Sequence, residues 1–120
     1  AEEVADLGDS KLQATKGHLR QMLIHLLKAA FSPADRPKAG WLAEVGLHHA
    51  EALDHYSPSM RAKIDLDRLW QQALTYAGRA LSDHGEPGLP SDLTCPFTLD
   101  DLLAEEFDVD AAVERLSRGE

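Results

Sequence analysis

The sequence predicts an all-α fold, a small helical bundle of three long helices followed by a short C-terminal helix. Apolar residues recur at intervals of three and four over long stretches, which is the periodicity of amphipathic helices. No stretch alternates between apolar and polar residues as a half-buried strand does, and no hairpin turn sequence is found. Five of the six prolines lie in two connectors, 32–40 and 86–96, which separate the predicted helices.

The segment 18–31 is predicted to be the central helix of the bundle. One side of this helix carries Leu19, Met22, Leu23, Leu26, Leu27 and Ala30. Ile24 and Phe31 widen the apolar arc, so we expect neighbouring helices on two sides. Residues 1–9 are predicted to form a partial N-terminal helix that is interrupted at Gly8 and Asp9, with Ser10 as the next N-cap. We also expect the protein to have residues before Ala1, because this first segment resembles the interior of a helix.

The remaining elements follow from turn and capping residues. The predicted helices are 40–56, 58–84 and one that begins after Thr98 and ends near Phe107. Ser57 is the expected N-cap of the third helix, with Pro58 in its first position, where a missing N–H costs nothing. The last residues, 108–120, are predicted to be a tail or a short helix that turns Val113 and Leu116 inward. We interpret residues 1–120 as a single helical domain.

Charge and composition exclude several classes of function. The chain has 120 residues and a net charge of −9, which argues against nucleic acids and anionic membranes as partners. No apolar run approaches the ~20 residues that span a bilayer, and no signal peptide is recognisable. The single cysteine, Cys95, cannot form an internal disulfide, which suits a reducing cytoplasm. We expect a cytoplasmic protein in which Cys95 has a structural role.

The most specific local pattern is a row of metal-ligand side chains on the second helix. Glu44, His48, Glu51 and His55 are spaced i, i+4, i+7 and i+11, so they share one face. Carboxylates and imidazoles are ligands for divalent transition metals. A metal site needs ligands from a second helix, and His18 and His25 are the candidates. The alternative is a solvated face with weak helical pairs, since no HExxH motif or duplicated ExxH pair is present.

Several sequence motifs resemble those of a known bacterial family. The runs HLLKAAFSPADRPKAGW, HYSPSMR and TCPFTLDDLLAEEF occur in this order, and together they resemble the family catalogued as domain of unknown function 29 over about residues 1–107. Phe97 stands where related sequences usually have tyrosine. The resemblance implies a small all-α bacterial cytosolic protein and implies no activity. The second helix departs from the pattern, because it carries His and Glu where related sequences tend to be rich in arginine.

These observations favour a non-catalytic interaction or structural module. We assign no catalytic residues, and we expect a protein partner or self-association as a homo-oligomer. Ile24, Phe31 and Ile64 are the expected intersubunit contact if they are exposed together. The alternative function is a metal-binding bundle that uses the second helix and a divalent transition metal. A third hypothesis places a small-ligand pocket near Trp41 and Trp70.

Overall fold

A computed structural model describes residues 2–33, 36–90 and 92–119, without the side chains of 2–8 and 36–37. The helices within these residues are α1 (Glu2–Phe31), α2 (Arg36–His55), a 3-10 helix (Pro58–Lys63), α3 (Leu66–Asp83), α4 (Leu99–Leu102) and α5 (Val109–Arg118). No strand is found in the described part of the chain. The predicted all-α class is therefore confirmed.

Helix α1 is the centre of the molecule, and it packs against α2, α3 and α5. Its side chains Leu19, Leu23, Leu26 and Leu27 are completely buried. Burying each leucine contributes about 1.5–3 kcal/mol, so this helix supplies a large share of the hydrophobic stabilisation. The prediction that the wide apolar arc of α1 needs more than one neighbour is confirmed.

The predicted interruption of the first helix is wrong. Helix α1 continues through Gly8, Asp9 and Ser10, so Ser10 is not an N-cap. An interior glycine costs only about 1 kcal/mol, and packing further along the same helix outweighs that cost. Thr15 is one such contact, because it is fully buried beside the Met60 side chain.

The start of the second helix was also predicted too late. Helix α2 begins at Arg36, four positions before the predicted Gly40. Pro37 therefore lies in the first turn, where a proline interrupts no intrahelical hydrogen bond. The second half of the predicted connector 32–40 is helical for this reason.

The predicted third helix, 58–84, is divided into two elements. The 3-10 helix is followed by Ile64 and Asp65 in extended backbone geometry, with φ, ψ of −103°, 113° and −95°, 97°. Asp65 is the N-cap of α3, where its carboxylate accepts a hydrogen bond from the backbone N–H of Arg68 at 3.2 Å. The break also directs Met60 and Ile64 into the core, where both are buried.

Replacing Asp65 with alanine is expected to lower the free energy of unfolding by about 1 kcal/mol, because α3 loses the acceptor at its N-terminus. Urea unfolding followed by circular dichroism measures the change. The matched control is Asp92→Ala, which removes an exposed loop carboxylate and should change stability by no more than about 0.5 kcal/mol. Equal effects of the two substitutions would contradict the assigned cap.

The fourth helix is shorter than predicted. Helix α4 ends at Leu102 and does not reach Phe107. Its predicted start is confirmed, since Thr98 and Asp101 form a reciprocal capping box with hydrogen bonds of 3.1 and 2.9 Å. A new N-cap, Asp108, begins α5, and its carboxylate accepts from the N–H of Ala111 at 3.1 Å.

The last part of the chain, which was predicted to be a tail or a short helix, forms the helix α5. Its inward side chains are Ala112 and Leu116, which are both buried. Val113, which was predicted to point inward, is only half-buried at the edge of the core. The helix ends at Gly119, whose positive φ of 74° is the left-handed conformation typical of a helix C-cap.

The apolar surface on which the predicted intersubunit contact depends is covered by the chain itself. Ile24 and Ile64 are each 8% exposed, and the half-buried Phe31 packs against the core. Self-association stays a prediction, and a mass measurement in solution at tens of micromolar tests it. No helix in the described part of the chain is long and apolar enough to cross a membrane.

Candidate metal centre

Helices α1 and α2 lie against one another, and a row of polar side chains follows their line of contact. The six side chains are His18 and His25 from α1 and Glu44, His48, Glu51 and His55 from α2. We call this set the His–Glu seam. Each residue has a partner of the same type seven positions along its own helix, so two turns of each helix repeat the same ligand types.

The seam is divided into two groups of three. The first triad is His25, Glu44 and His48, and the second triad is His18, Glu51 and His55. Within each triad, one donor atom from every side chain lies within 4.8 Å of the others. His18, the earlier histidine of α1, groups with Glu51 and His55, the later residues of α2. The two helices therefore run antiparallel through the seam.

The Glu–His pairs on α2 are spaced more widely than hydrogen bonds. His48 Nε2 lies 3.5 Å from Glu44 Oε2, and His55 Nε2 lies 3.8 Å from Glu51 Oε2. Hydrogen bonds between these atoms would be about 2.7–3.2 Å long. Two ligand atoms of a tetrahedral zinc ion, each about 2.05 Å from the metal, are separated by about 3.4 Å. Both separations are therefore closer to the distance of about 3.4 Å between two ligands of one tetrahedral zinc ion than to the length of a hydrogen bond.

One direct hydrogen bond joins the triads. His18 Nδ1 and His48 Nδ1 are 2.9 Å apart, so one ring donates and the other accepts. The rings are also stacked within each triad. The centroids of His18 and His55 are 5.9 Å apart at an interplanar angle of 2°, and those of His25 and His48 are 5.8 Å apart at 12°.

The surroundings of both α1 histidines lower their pKa and so favour the neutral imidazole. Burial is the main cause that lowers the pKa of His25, with help from the nearby Lys28 and His48 charges, while Glu44 opposes the shift. The Nδ1 atom of His25 is buried and has no hydrogen-bond partner among the described residues. An unpartnered buried nitrogen is costly, and a bound ion would remove that cost.

Burial is also the largest cause that lowers the pKa of His18. The neighbouring His48 and His55 act in the same direction, and Glu51 opposes them. A neutral imidazole is a competent ligand without first losing a proton. A lowered pKa favours this neutral form in both α1 histidines.

We expect the apoprotein to lose stability as the pH falls below 6.5, the ordinary pKa of histidine. The folded-state pKa values of His18 and His25 are lowered, so the unfolded chain binds more protons in this range. Their contribution is fully present above pH 6.5 and is lost as the pH falls through the lowered values. Urea unfolding at pH 7.5 and pH 5.5, at one ionic strength, measures the loss.

The variant His18→Gln/His25→Gln is the control for this pH dependence. The free energy of unfolding of this variant should decrease less between the two pH values, because both histidines with a lowered pKa have been replaced. A decrease as large as that of the unsubstituted chain would assign the effect to groups other than His18 and His25.

All four metal-ligand residues predicted from the sequence lie in the seam, together with both α1 histidines named as their partners. Metal binding itself stays a prediction. Sequence reasoning missed the division into two triads and the His18–His48 hydrogen bond. The seven-residue spacing that both helices share was the available signal for the two triads. When two such helices pack antiparallel, residues with this spacing meet at two positions along the line of contact.

His49 and Cys95, which lie outside the seam, have structural contacts. Ring nitrogen Nε2 of His49 lies 2.7 Å from the carbonyl oxygen of Ala104. Cys95 is half-buried, and burial raises the pKa of its thiol, which is 3.5 Å from the carbonyl oxygen of Phe97. A thiol with a raised pKa is a poor nucleophile, which agrees with the predicted structural role.

The two tryptophans also have identified contacts. Trp70 is buried, and its indole N–H donates to the carbonyl oxygen of Leu93 at 3.4 Å. The Lys28 ammonium lies over the ring of Trp41, 5.0 Å from its centroid. Such a cation–π contact contributes on the order of 0.5–1 kcal/mol at exposed sites. These contacts explain both residues by packing, and the predicted small-ligand pocket stays a prediction.

The fold and the seam define a small all-α bundle protein whose first two helices bring together imidazole and carboxylate groups. The chain belongs to the family described as domain of unknown function DUF29, whose model matches residues 1–108. The family resemblance predicted from the sequence motifs is thereby confirmed, and the family indicates no specific role.

A solved structure shares this architecture. The chain is similar to an alpha-helical protein of unknown function from Rhodospirillum rubrum, with 33% sequence identity and a TM-score of 0.88. The similarity covers 97% of this chain and 74% of that one. No match is found among curated proteins.

Proposed function

We propose that this chain is a helical module that binds divalent transition metal ions in the His–Glu seam. The proposal is carried by one observation, the convergence of six ligand-type side chains from two helices into two triads. Each triad offers two imidazoles and one carboxylate, a ligand set used for zinc and for non-haem iron. Three protein ligands leave at least one coordination position for water or another molecule.

The position of the seam supports this proposal. The ligands are side chains of α1 and α2, and α1 is held in place by its buried leucines. Ligands on packed helices are positioned more precisely than ligands on loops. The six residues are half-buried or exposed, although the Nδ1 atom of His25 is itself buried.

Metal analysis after equilibrium dialysis tests the proposal directly. Protein without a polyhistidine tag is stripped with a chelator, dialysed against micromolar Zn²⁺ or Mn²⁺, and analysed by mass spectrometry for bound metal. We expect retained metal in the unsubstituted chain and its loss in His25→Gln/His55→Gln, which removes one imidazole from each triad.

The matched control is His84→Gln, an exposed histidine outside the seam. This variant should retain as much metal as the unsubstituted chain. Absence of bound Zn²⁺ and Mn²⁺ from the unsubstituted chain would overturn the proposal. Equal retention by the double variant would place the metal elsewhere and would also overturn it.

We also propose that the protein acts in the bacterial cytoplasm. The single cysteine, Cys95, is a free thiol, and chains without disulfides are typical of reducing compartments. Fractionation of the native host, followed by detection with an antibody, tests the location. Recovery in the secreted or periplasmic fraction would contradict it.

A further inference from the structure

We propose that the two triads bind two ions in sequence, because His18 and His48 share one proton that allows only one of these rings to ligate freely. This inference rests on the proposed function and specifies how the seam fills. It starts from the 2.9 Å contact between the two Nδ1 atoms, which joins one member of each triad.

The hydrogen bond restricts the protonation of both rings. A neutral imidazole carries one N–H, on Nδ1 or on Nε2, and the other nitrogen has the lone pair that binds a metal. The ring that donates through Nδ1 therefore has a free lone pair on Nε2. The ring that accepts at Nδ1 carries its proton on Nε2, which is then unable to ligate.

Filling both triads while this contact persists creates a conflict. If Nε2 of His18 and Nε2 of His48 both bind ions, both Nδ1 atoms carry hydrogens. Two N–H groups would then point at each other across 2.9 Å, with no acceptor between them. The second ion must separate the rings or displace a proton, so it binds more weakly than the first.

The geometry points to the first triad as the one that fills first. Its His48–Glu44 separation of 3.5 Å is closer to a tetrahedral edge than the 3.8 Å separation of His55 and Glu51. It also contains the buried and unpartnered Nδ1 of His25. After the first ion binds, His48 donates through Nδ1 and His18 keeps its own proton on Nε2.

Losing one hydrogen bond of ordinary net strength weakens binding by about tenfold. We therefore expect titration calorimetry with Zn²⁺ to show two ions, the second with a dissociation constant at least about tenfold larger. The substitution His48→Gln removes an imidazole from the first triad. It also removes the Nδ1–Nδ1 contact, so His18 can carry its proton on Nδ1 and bind a metal through Nε2. The remaining site should bind Zn²⁺ more tightly than the second step of the unsubstituted chain.

Repulsion between two bound cations would also weaken the second step, so the proton must be observed directly. Long-range ¹H–¹⁵N spectra of the histidine rings report which nitrogen is protonated. With one equivalent of Zn²⁺, we expect His48 to show a protonated Nδ1 and a metal-bound Nε2, and His18 to show a protonated Nε2.

The possible results separate this inference from the proposed function. No binding of Zn²⁺ in the calorimeter would overturn the proposed function. Two equal steps, a single ion that binds both Nδ1 atoms, or a protonated Nδ1 on His18 with one ion bound would overturn the shared-proton inference alone. His84→Gln serves again as the control and should reproduce both steps.

Discussion

Replacing Leu23 with alanine is expected to lower the free energy of unfolding by about 2–5 kcal/mol. Leu23 is fully buried in α1, the helix against which α2, α3 and α5 pack. The substitution removes apolar contacts and leaves a cavity that the surrounding helices cannot fill completely. Because small proteins have only about 5–15 kcal/mol of stability, we expect a large shift in the urea unfolding midpoint.

The matched control for this prediction is Leu47→Ala. Leu47 has the same side chain in a helix, but it is 58% exposed. Surface substitutions of this kind usually change stability by no more than about 0.5 kcal/mol. If Leu23→Ala and Leu47→Ala had similar effects, α1 would not be the centre of the core.

Zinc at about one hundred times the dissociation constant of the first binding step is expected to raise the free energy of unfolding by at least about 2.7 kcal/mol, since it binds the folded state. Thermal unfolding with and without Zn²⁺ measures this increase. The variant Glu44→Gln/Glu51→Gln removes both seam carboxylates, so we expect it to lose most of the increase.

The double variant also provides its own control in the absence of metal. Both glutamates are substantially exposed, at 50% and 46% of their side chains, so the metal-free protein should keep nearly its original stability. Full stabilisation of the double variant by Zn²⁺ would show that the seam carboxylates are not ligands. A large loss of stability without metal would instead assign them a structural role.

The buried stripe of α1 was predictable because it depends only on the spacing of large apolar residues. Leu19, Leu23 and Leu26 repeat at three and four positions, and no competing signal interrupts them. The face shared by Glu44, His48, Glu51 and His55 was predictable for the same reason. Helical periodicity determines which side chains share a face, whatever the tertiary structure around them.

The helix boundaries were less predictable because they depend on competition between local and tertiary interactions. The 3-10 helix ends before Ile64, which gains a buried position, and Asp65 begins α3 because its carboxylate caps the new helix. At Gly8 the opposite occurs, and the helix continues. A sequence alone does not give the energy of the tertiary contacts that decide between these outcomes.

The pairing of α1 with α2 required the coordinates. The sequence names His18 and His25 as possible partners, but their neighbours depend on the direction and register of the two helices. An antiparallel arrangement joins His25 to Glu44 and His18 to His55. The hydrogen bond between His18 and His48 depends on ring orientation, which no spacing rule provides.

The seven-residue repeat of the seam has a mechanical consequence. The two triads are separated along each helix by two turns, about 10 Å of rise, so two bound ions would cross-link α1 and α2 at two points. One cross-link still allows the helices to rotate about it, whereas two cross-links also oppose this rotation and the sliding of one helix along the other. We therefore expect backbone amides near His18 and His25 to exchange hydrogen more slowly in the fully loaded protein than with one ion bound.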